Sequence, residues 1–360
     1  MQAEAWHDPK RYWWLLSPAL PMLVGWHLLR FVQTGQTHWL FLMSAFMYGV
    51  IPLLDALLGP DHGNPPEAAT PTLERSLWYR AIVVAYVPAQ YATTLLGAWI
   101  ATTLPLSPWQ WLGLILSVGG VNGIAINTAH ELGHKRPRWE RALALLTLAP
   151  VLYGHFFVEH NRGHHLRVAT PEDPASARLG ESFWAFLPRT VVGSLRSAWH
   201  LDARLCLQAW ALSALFYAGV TAWLGVGVLP FVLVQALYGI SLLEVVNYIE
   251  HYGLLRARGA DGKVERCGPE HSWNSDHVVS NLFLYQLQRH SDHHAHPGRR
   301  YQLLRHFDAS PQLPMGYAGM LMLAYVPPLW FRVMDARVSA HYGGELSRAN
   351  LSSPASARQV

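Results

Sequence analysis

The feature that most constrains this chain is a set of six apolar runs, each long enough to cross a lipid bilayer. About 20 residues in helical form are needed to span roughly 30 Å of hydrocarbon. An unpaired backbone is costly in lipid, so such runs form helices. We therefore predict an all-α integral membrane protein with six transmembrane helices. The runs lie near residues 13–32, 38–58, 79–104, 109–129, 205–225 and 228–249.

Charge predicts how these helices are oriented. Only 14% of the 360 residues are charged, against roughly 25% in soluble domains. The short connections 33–37 and 102–108 contain no Lys or Arg, whereas 135–204 and 255–305 are rich in both. By the positive-inside rule the long segments and both termini face the cytoplasm. We expect one membrane-embedded domain over residues 1–360 in the cell inner membrane, with a cytoplasmic C-terminal part (250–360) and no nucleic-acid partner.

Two further apolar segments are not expected to span. Residues 141–158 are only about long enough to cross an untilted bilayer, and histidine clusters lie on both sides of them. Those clusters can meet only if the segment re-enters or lies flat, so we predict a re-entrant or interfacial helix. The segment 313–334 contains Pro327 and Pro328, which favour an interfacial or docked element.

Histidine is the residue type that indicates chemistry. The chain has 20 histidines but only two cysteines, Cys206 and Cys267, which form no CxxC pair and so give no cysteine-based zinc or iron–sulfur site. Four segments hold the candidates, namely HELGHK, EHNRGHH, NYIEHYGL and LQRHSDHHAHP. Their i, i+3 and i, i+4 spacings place rings on shared helix faces. The candidate ligands are His130, His134, His160, His164, His165, His251, His290, His293 and His294.

These nine ligands predict a site for two metal ions in a histidine-rich cap. Nine neutral nitrogen donors are too many for one ion of four to six ligands. Imidazoles bring no charge, so carboxylates are expected around the ligands to offset the charge of the ions. The candidates, each beside a ligand cluster or in the loop after one, are Glu131, Glu159, Glu250, Asp292 and Asp173.

Other kinds of metal protein fit part of this pattern. His130 and His134 with Glu131 match the HExxH motif of zinc proteases, and an intramembrane protease would use the glutamate as base. That alternative leaves the second and fourth clusters unexplained. A metal carrier is disfavoured because transport sites usually lie near the bilayer midplane.

The four motifs, in this order and spacing, resemble the AlkB-type alkane 1-monooxygenases of the membrane histidine-box desaturase and hydroxylase superfamily. NYIEHYGL is the most diagnostic, and the segments Gly49–Glu67 and Ala169–Arg178 are also similar to the family. The resemblance implies two irons held by the nine histidines, O2 as oxidant, terminal hydroxylation of linear alkanes, and rubredoxin as electron donor. The chain lacks the four cysteines of a fused rubredoxin, so a separate rubredoxin with its reductase is expected. A xylene-type methyl hydroxylase and a fatty-acyl desaturase would use the same metals and remain open.

Two surfaces complete the sequence predictions. Alkanes bind by apolar burial, so we predict a channel between the spans, with bulky side chains of the second span, Phe46, Met47 and Tyr48, limiting chain length. Rubredoxins are typically acidic, and complementary charge raises association rates. The predicted docking residues are Lys135, Arg136, Arg256, Arg258, Arg299 and Arg300.

Overall fold

The computed structural model describes residues 6–352, whose regular elements are helices, with four isolated β-bridges. Six helices are long and apolar enough to cross a membrane, which confirms the predicted all-α fold with six spans. The two termini, which were predicted to face the cytoplasm, lie outside the described residues. The helices used below are α1 (Trp13–Thr34), α2 (Thr37–Leu58), α3 (Leu77–Thr103), α4 (Pro108–Gly133), α5 (Arg138–Leu148), α6 (Phe183–Leu224), α7 (Val226–His251), α8 (Val278–Phe283), α9 (His290–Ala295), α10 (Tyr317–Ala324) and α11 (Pro327–His341).

The predicted fifth span, residues 205–225, corresponds to the second part of a longer helix. That helix, α6, begins at Phe183 and has 42 residues. α6 consists of two helices joined at a kink, and the second, residues 203–224, is about 33 Å long, enough to cross the hydrocarbon. Its backbone leaves helical geometry at Asp202, with φ −162° and ψ 80°. Arg189 and Arg196 lower the hydropathy of the first part, so a search for apolar runs detects the second part alone.

Small and amide side chains hold the bundle centre together. A Cβ on Gly119 of α4 would come within 2.7 Å of the Gln235 carbonyl oxygen of α7, so only glycine allows these backbones to approach so closely. Beside this crossing, Asn122 accepts a hydrogen bond from Gln90 of α3 at 2.8 Å and donates one to Gln235 at 2.7 Å. The three central spans α3, α4 and α7 are therefore joined by paired polar groups, as an apolar medium requires.

The apolar run 141–158 is divided rather than continuous. It forms the 11-residue helix α5, which is about 16 Å long, then a 3-10 turn, Ala149–Val151. Leu152 has a positive φ of 57°, and the short helix Phe156–Glu159 follows. Neither helical piece is long enough to span, and the turn between them returns the second histidine cluster toward the first.

The segment 313–334 also breaks into short helices. α10 has 8 residues and α11 begins at Pro327, where a proline fits the first turn of a helix. Trp330 of α11 is fully buried against Tyr248 and Tyr252 of α7, at ring distances of 4.8 and 5.2 Å. This part of the chain is therefore docked against the ligand-bearing end of α7.

Candidate metal centre

The four histidine clusters converge at one end of the bundle, which we call the histidine face. His130 lies in the last turn of α4, and His251 is the last residue of α7. The second cluster lies on a π-helical turn, His160–His164, and the fourth lies on α9. Three different kinds of local structure, span ends, a π-turn and a short helix, thus supply the rings.

All nine predicted ligands fall into two groups at this face, the five-histidine group and the four-histidine group. Within each group, one ring nitrogen from every member lies within 4.8 Å of those of the others. Two sets of nitrogen donors fit two metal ions. The five-histidine group is His130, His134, His160, His165 and His293, and the four-histidine group is His164, His251, His290 and His294.

The spacing between rings matches ligands that share an ion. The Nε2 atoms of His130 and His293 are 2.8 Å apart, and those of His290 and His251 are 3.2 Å apart. Two nitrogens bound at right angles to one ion, each at about 2.1 Å, are about 3.0 Å apart. The side chains are therefore already arranged at coordination distances.

His164 gives the most specific test of whether a metal fits. Its Nδ1 lies 2.9 Å from the Asp173 carboxylate, while its Nε2 is buried with no hydrogen-bond partner. A carboxylate that fixes one ring nitrogen leaves the other with its lone pair directed outward, which is the usual arrangement of a metal-binding histidine. The lone pair of Nε2 would otherwise be buried without compensation, so the donor set fits a metal.

Burial also sets the protonation state of the ligands. Desolvation, together with the neighbouring rings, lowers the pKa of six of these histidines well below the ordinary range. A neutral imidazole is the form that binds metal, so the rings are ready to bind at neutral pH. These six are His134, His160, His165, His290, His293 and His294.

Two of the five predicted carboxylates touch the rings, both in the four-histidine group. Asp173 contacts His164 as above. Glu250 places Oε2 3.2 Å from Nε2 of His290, and its Oε1 accepts a hydrogen bond from the Tyr317 hydroxyl at 2.8 Å. Both acids lie where they could offset the charge of a bound ion.

The other three predicted acids pair with cations instead. Glu131 forms an ion pair with Lys135 at 3.0 Å, and Glu159 forms one with Arg167 at 2.7 Å. Asp292 accepts from an arginine at 2.6 Å. Their position beside a ligand in sequence does not bring them to a ring, because helical side chains one residue apart point in different directions.

Three of the six predicted docking residues are wrong, because their side chains are buried. Lys135 donates to the Arg299 carbonyl at 2.7 Å, Arg300 pairs with Glu140 at 2.9 Å, and Arg256 is also buried. Buried cations of this kind are held by local partners, so they connect loops at the histidine face rather than contact another protein.

The remaining predicted docking residues reach the surface. Arg136 and Arg258 are exposed, and Arg258 pairs with Glu172 at 2.5 Å. Arg299 is partly exposed and is held by Asp292. Arg136 therefore presents positive charge at the surface two residues after His134, whereas Arg258 and Arg299 are each paired with an acid.

An apolar cavity lies between the spans and extends toward the histidine face. α1, α2, α4, α7, α8 and α10 contribute to its wall. Of the predicted channel residues, Phe46 and Met47 line it, whereas Tyr48 does not. At the inner end the wall includes Asn127 and Leu287, each three residues before a predicted ligand. The cavity therefore ends about one helical turn from the rings.

Sequence reasoning missed Glu244, a buried acid inside α7. Its carboxylate accepts hydrogen bonds from Tyr153 at 2.6 Å and from Thr190 at 2.8 Å. It therefore joins α6 and the turn before the second cluster to α7. The sequence feature that could have identified Glu244 is its spacing of seven residues from His251, which places both side chains on one helix face.

A smaller set of side chains, His62, Asp276 and His306, also gathers outside the two groups. The two rings are stacked 4.3 Å apart with planes 9° from parallel, so their in-plane lone pairs do not converge on one point. Arg289 also donates to Asp276 at 3.1 Å. We read these residues as a polar contact between loops, in agreement with the absence of ligand-like spacing in the sequence.

Comparison with known proteins agrees with this site. Residues 106–324 match the family model described as fatty acid desaturase. The chain is 46% identical to an alkane 1-monooxygenase of Acinetobacter baylyi, over 96% of this chain and 88% of the relative. It is 44% identical to alkane 1-monooxygenase 1 of Alcanivorax borkumensis, over 97% of this chain and 90% of the relative.

A more distant similarity is to XylM, the hydroxylase component of a xylene/toluene monooxygenase from Pseudomonas putida. It is 29% identical, over 63% of this chain and 64% of XylM. Both the identity and the coverage are well below those of the alkane 1-monooxygenases. The chain belongs to the alkane 1-monooxygenase family, within the broader fatty acid desaturase family, and is a membrane oxidoreductase with a histidine-rich metal-binding site.

Proposed function

We propose that this chain hydroxylates the terminal carbon of linear alkanes, using O2 and two electrons, at two iron ions held by the nine histidines. The observation that carries the proposal is the apolar cavity that ends about one helical turn from the rings. Relatives named alkane 1-monooxygenase, similar over almost the whole chain, support the substrate class.

The cavity wall suits a substrate with no polar group. Its two amide or hydroxyl side chains are occupied elsewhere, since Asn127 donates to the Leu284 carbonyl at 2.7 Å and Ser280 bonds to Asp55. The remaining wall gains about 0.8 kcal/mol for each CH2 group that it removes from water. A cavity that approaches the rings from the membrane side presents one end of a chain to them, which favours attack on a terminal carbon.

The protein's part in the reaction is to hold and orient. When bound, the irons supply O2 activation and C–H cleavage. Asp173 fixes the His164 ring, and Glu250 adds negative charge beside His290. Burial of all four rings of the four-histidine group limits the access of water to that side of the site.

Electron supply belongs to a separate protein in this proposal. Cys206 and Cys267 are free and lie far apart in sequence, so the described chain offers no cysteine cluster for a redox centre. We propose a rubredoxin, reduced by its reductase, that reaches the histidine face from the cytoplasm. Exposed Arg136 and Arg258 at this face suit an acidic donor. In this proposal the protein lies in the cell inner membrane.

The test is reconstitution of purified chain in lipid with rubredoxin, its reductase, NADH and an alkane series. We expect 1-alkanols by gas chromatography with mass detection, and about two irons per chain by metal analysis. One tightly held zinc per chain with no gain of activity on adding Fe(II) would overturn the iron assignment. Turnover on NADH without rubredoxin would overturn the donor.

The same assay separates the two alternatives left by the sequence. A xylene-type enzyme would oxidise the methyl group of an aromatic substrate faster than dodecane. A desaturase would remove two hydrogens from an acyl chain to give the unsaturated acyl product, without adding oxygen to it. Either result, obtained with protein that leaves linear alkanes unchanged, would replace the alkane proposal.

A further inference from the structure

A second apolar groove lies on the outside of the bundle, lined by residues of α2, α4, α6, α7 and α10. Its lining includes Tyr48, Tyr238, Ser241 and Met322. Met322 is 41% exposed. Tyr48 and Tyr238 are near the middle of their spans, so this groove opens at membrane depth, where the surroundings are acyl chains.

The groove and the interior cavity are separated by a wall about one residue thick. Three helices contribute to this wall, and each gives two consecutive residues that face opposite sides. Met47, Leu242 and Leu321 line the interior cavity. Their chain neighbours Tyr48, Ser241 and Met322 line the outer groove. The two spaces are therefore separated only by side chains and backbone of these three helices.

The tyrosines of this wall are paired with each other. The hydroxyl oxygens of Tyr48 and Tyr238 are 2.9 Å apart, and one donates to the other. A hydroxyl group without a partner is costly in hydrocarbon, so the pair holds the two rings across the groove. The Tyr48 side chain also hydrogen-bonds that of Tyr325, a third tyrosine of the groove. Neutral hydrogen bonds of this kind are weak in membrane proteins, so the Tyr48–Tyr238 bond can break during turnover while Tyr325 keeps the Tyr48 hydroxyl paired.

The backbone at Tyr48 is of an unusual kind. Phe46–Val50 is a π-helical turn inside α2. The other π-helical turn among the described helices, His160–His164, carries metal-site histidines. Such turns are rare and are frequently found at functional sites. A π-turn changes the direction in which its side chains point. Within this turn, Met47 lines the interior cavity and Tyr48 lines the outer groove.

We propose that the Tyr48–Tyr238 pair is a lateral gate through which linear alkane passes from the lipid-facing groove into the interior cavity. The gate is distinct from the chain-length limit at Met47, which acts inside the cavity. The proposal rests on the proposed function, because it takes alkane as the molecule that enters. It identifies α2, α7 and α10 as the helices between which substrate leaves the bilayer.

The experiment blocks the groove reversibly. Met322→Cys is made in a Cys267→Ser background, reconstituted in lipid vesicles, and labelled with a benzyl methanethiosulfonate. We expect kcat/KM for dodecane to fall at least fivefold, with iron content unchanged, and to recover on reduction of the mixed disulfide. The matched control is Met22→Cys, on a lipid-facing position of α1 that is 58% exposed and outside the groove.

Mass spectrometry checks that labelling is complete. If the two labelled variants then have equal kcat/KM, the gate proposal is overturned, and the groove is a binding site for lipid acyl chains. Failure of the unlabelled protein to oxidise dodecane would instead overturn the proposed function. Ser241→Trp, which fills the groove without a label, should give the same fivefold fall. Its control is Gly219→Trp on α6, where an added side chain meets open space.

Discussion

In the four-histidine group every ring is buried, and carboxylates lie within 2.9 and 3.2 Å of two rings. In the five-histidine group, His134 and His165 are partly exposed. The hydrogen-bonding contacts of those five rings, within residues 6–352, are with one another. One metal position is thus enclosed and balanced by negative charge, whereas the other has more donors and more access to solvent.

This difference indicates that the two metal positions have different roles. Carboxylates around a ligand raise its basicity and strengthen metal binding, so the four-histidine group should hold its ion more firmly. If a donor docks at the histidine face, as proposed above, the more exposed five-histidine group is the more accessible of the two. The predictions below test this difference, beginning with the largest effect.

Loss of one ligand should harm the smaller group more. His294→Ala leaves three histidines, and we expect the metal content to fall from about two ions to about one, with activity reduced by about 100-fold or more. His165→Ala leaves four donors in its group and should keep more metal. Metal analysis after gel filtration measures both. The control is His296→Ala, outside both groups, and equal metal loss in His165→Ala and His294→Ala would contradict the comparison.

Removing the charge of Asp173 should weaken the four-histidine group alone. Asp173→Asn keeps the size of the side chain but can no longer balance or orient His164 as an anion, so metal affinity or activity should fall about 10- to 100-fold. Competition with a chelator gives the affinity. Glu172→Gln, one residue away and paired with exposed Arg258, should leave it unchanged. If both variants lose metal equally, the loop rather than the carboxylate is responsible.

Much of this centre could be predicted from sequence, because histidine spacing on helices and the ends of apolar runs are local properties. The division into five and four could not. His164 and His165 are adjacent, yet they join different groups, and that depends on the tertiary arrangement of the π-turn. Lys135 illustrates another limit, since its burial requires Glu131 and a carbonyl from a segment more than 160 residues away.

The apolar cavity approaches both groups, so changing its width should leave both metal positions intact. Met47 is buried in the wall, and a flexible thioether can yield to a passing chain. Met47→Trp should shorten the longest alkane oxidised by a few carbons, and Met47→Ala should lengthen it. Competitive turnover of an alkane series measures this, with Met22→Trp as control. If the chain-length profiles of both variants superimpose on that of the wild type, the side chain of residue 47 packs in the wall and does not limit chain length.

The smallest effect concerns the donor. Arg136 lies two residues after His134 of the five-histidine group, whereas Arg258 follows the His251 segment of the four-histidine group. If electrons enter on the exposed side, Arg136→Ala should raise the KM for rubredoxin about threefold at low salt, and Arg258→Ala should raise it less, in line with the modest value of surface charges. Steady-state kinetics over a range of ionic strength tests this. A larger effect of Arg258→Ala would reverse the assignment.

Two pairs of neighbouring residues, His164 with His165 and His293 with His294, each divide between the two groups. Consecutive Cα atoms are about 3.8 Å apart whatever is bound. The covalent chain therefore limits the separation of the two metal positions at two points, where the paired rings lie 5.9 and 5.6 Å apart. A chain that has lost one ion keeps the vacant position in register with the filled one, so reloading should proceed as fast as ion diffusion and ligand closure allow, with no refolding step.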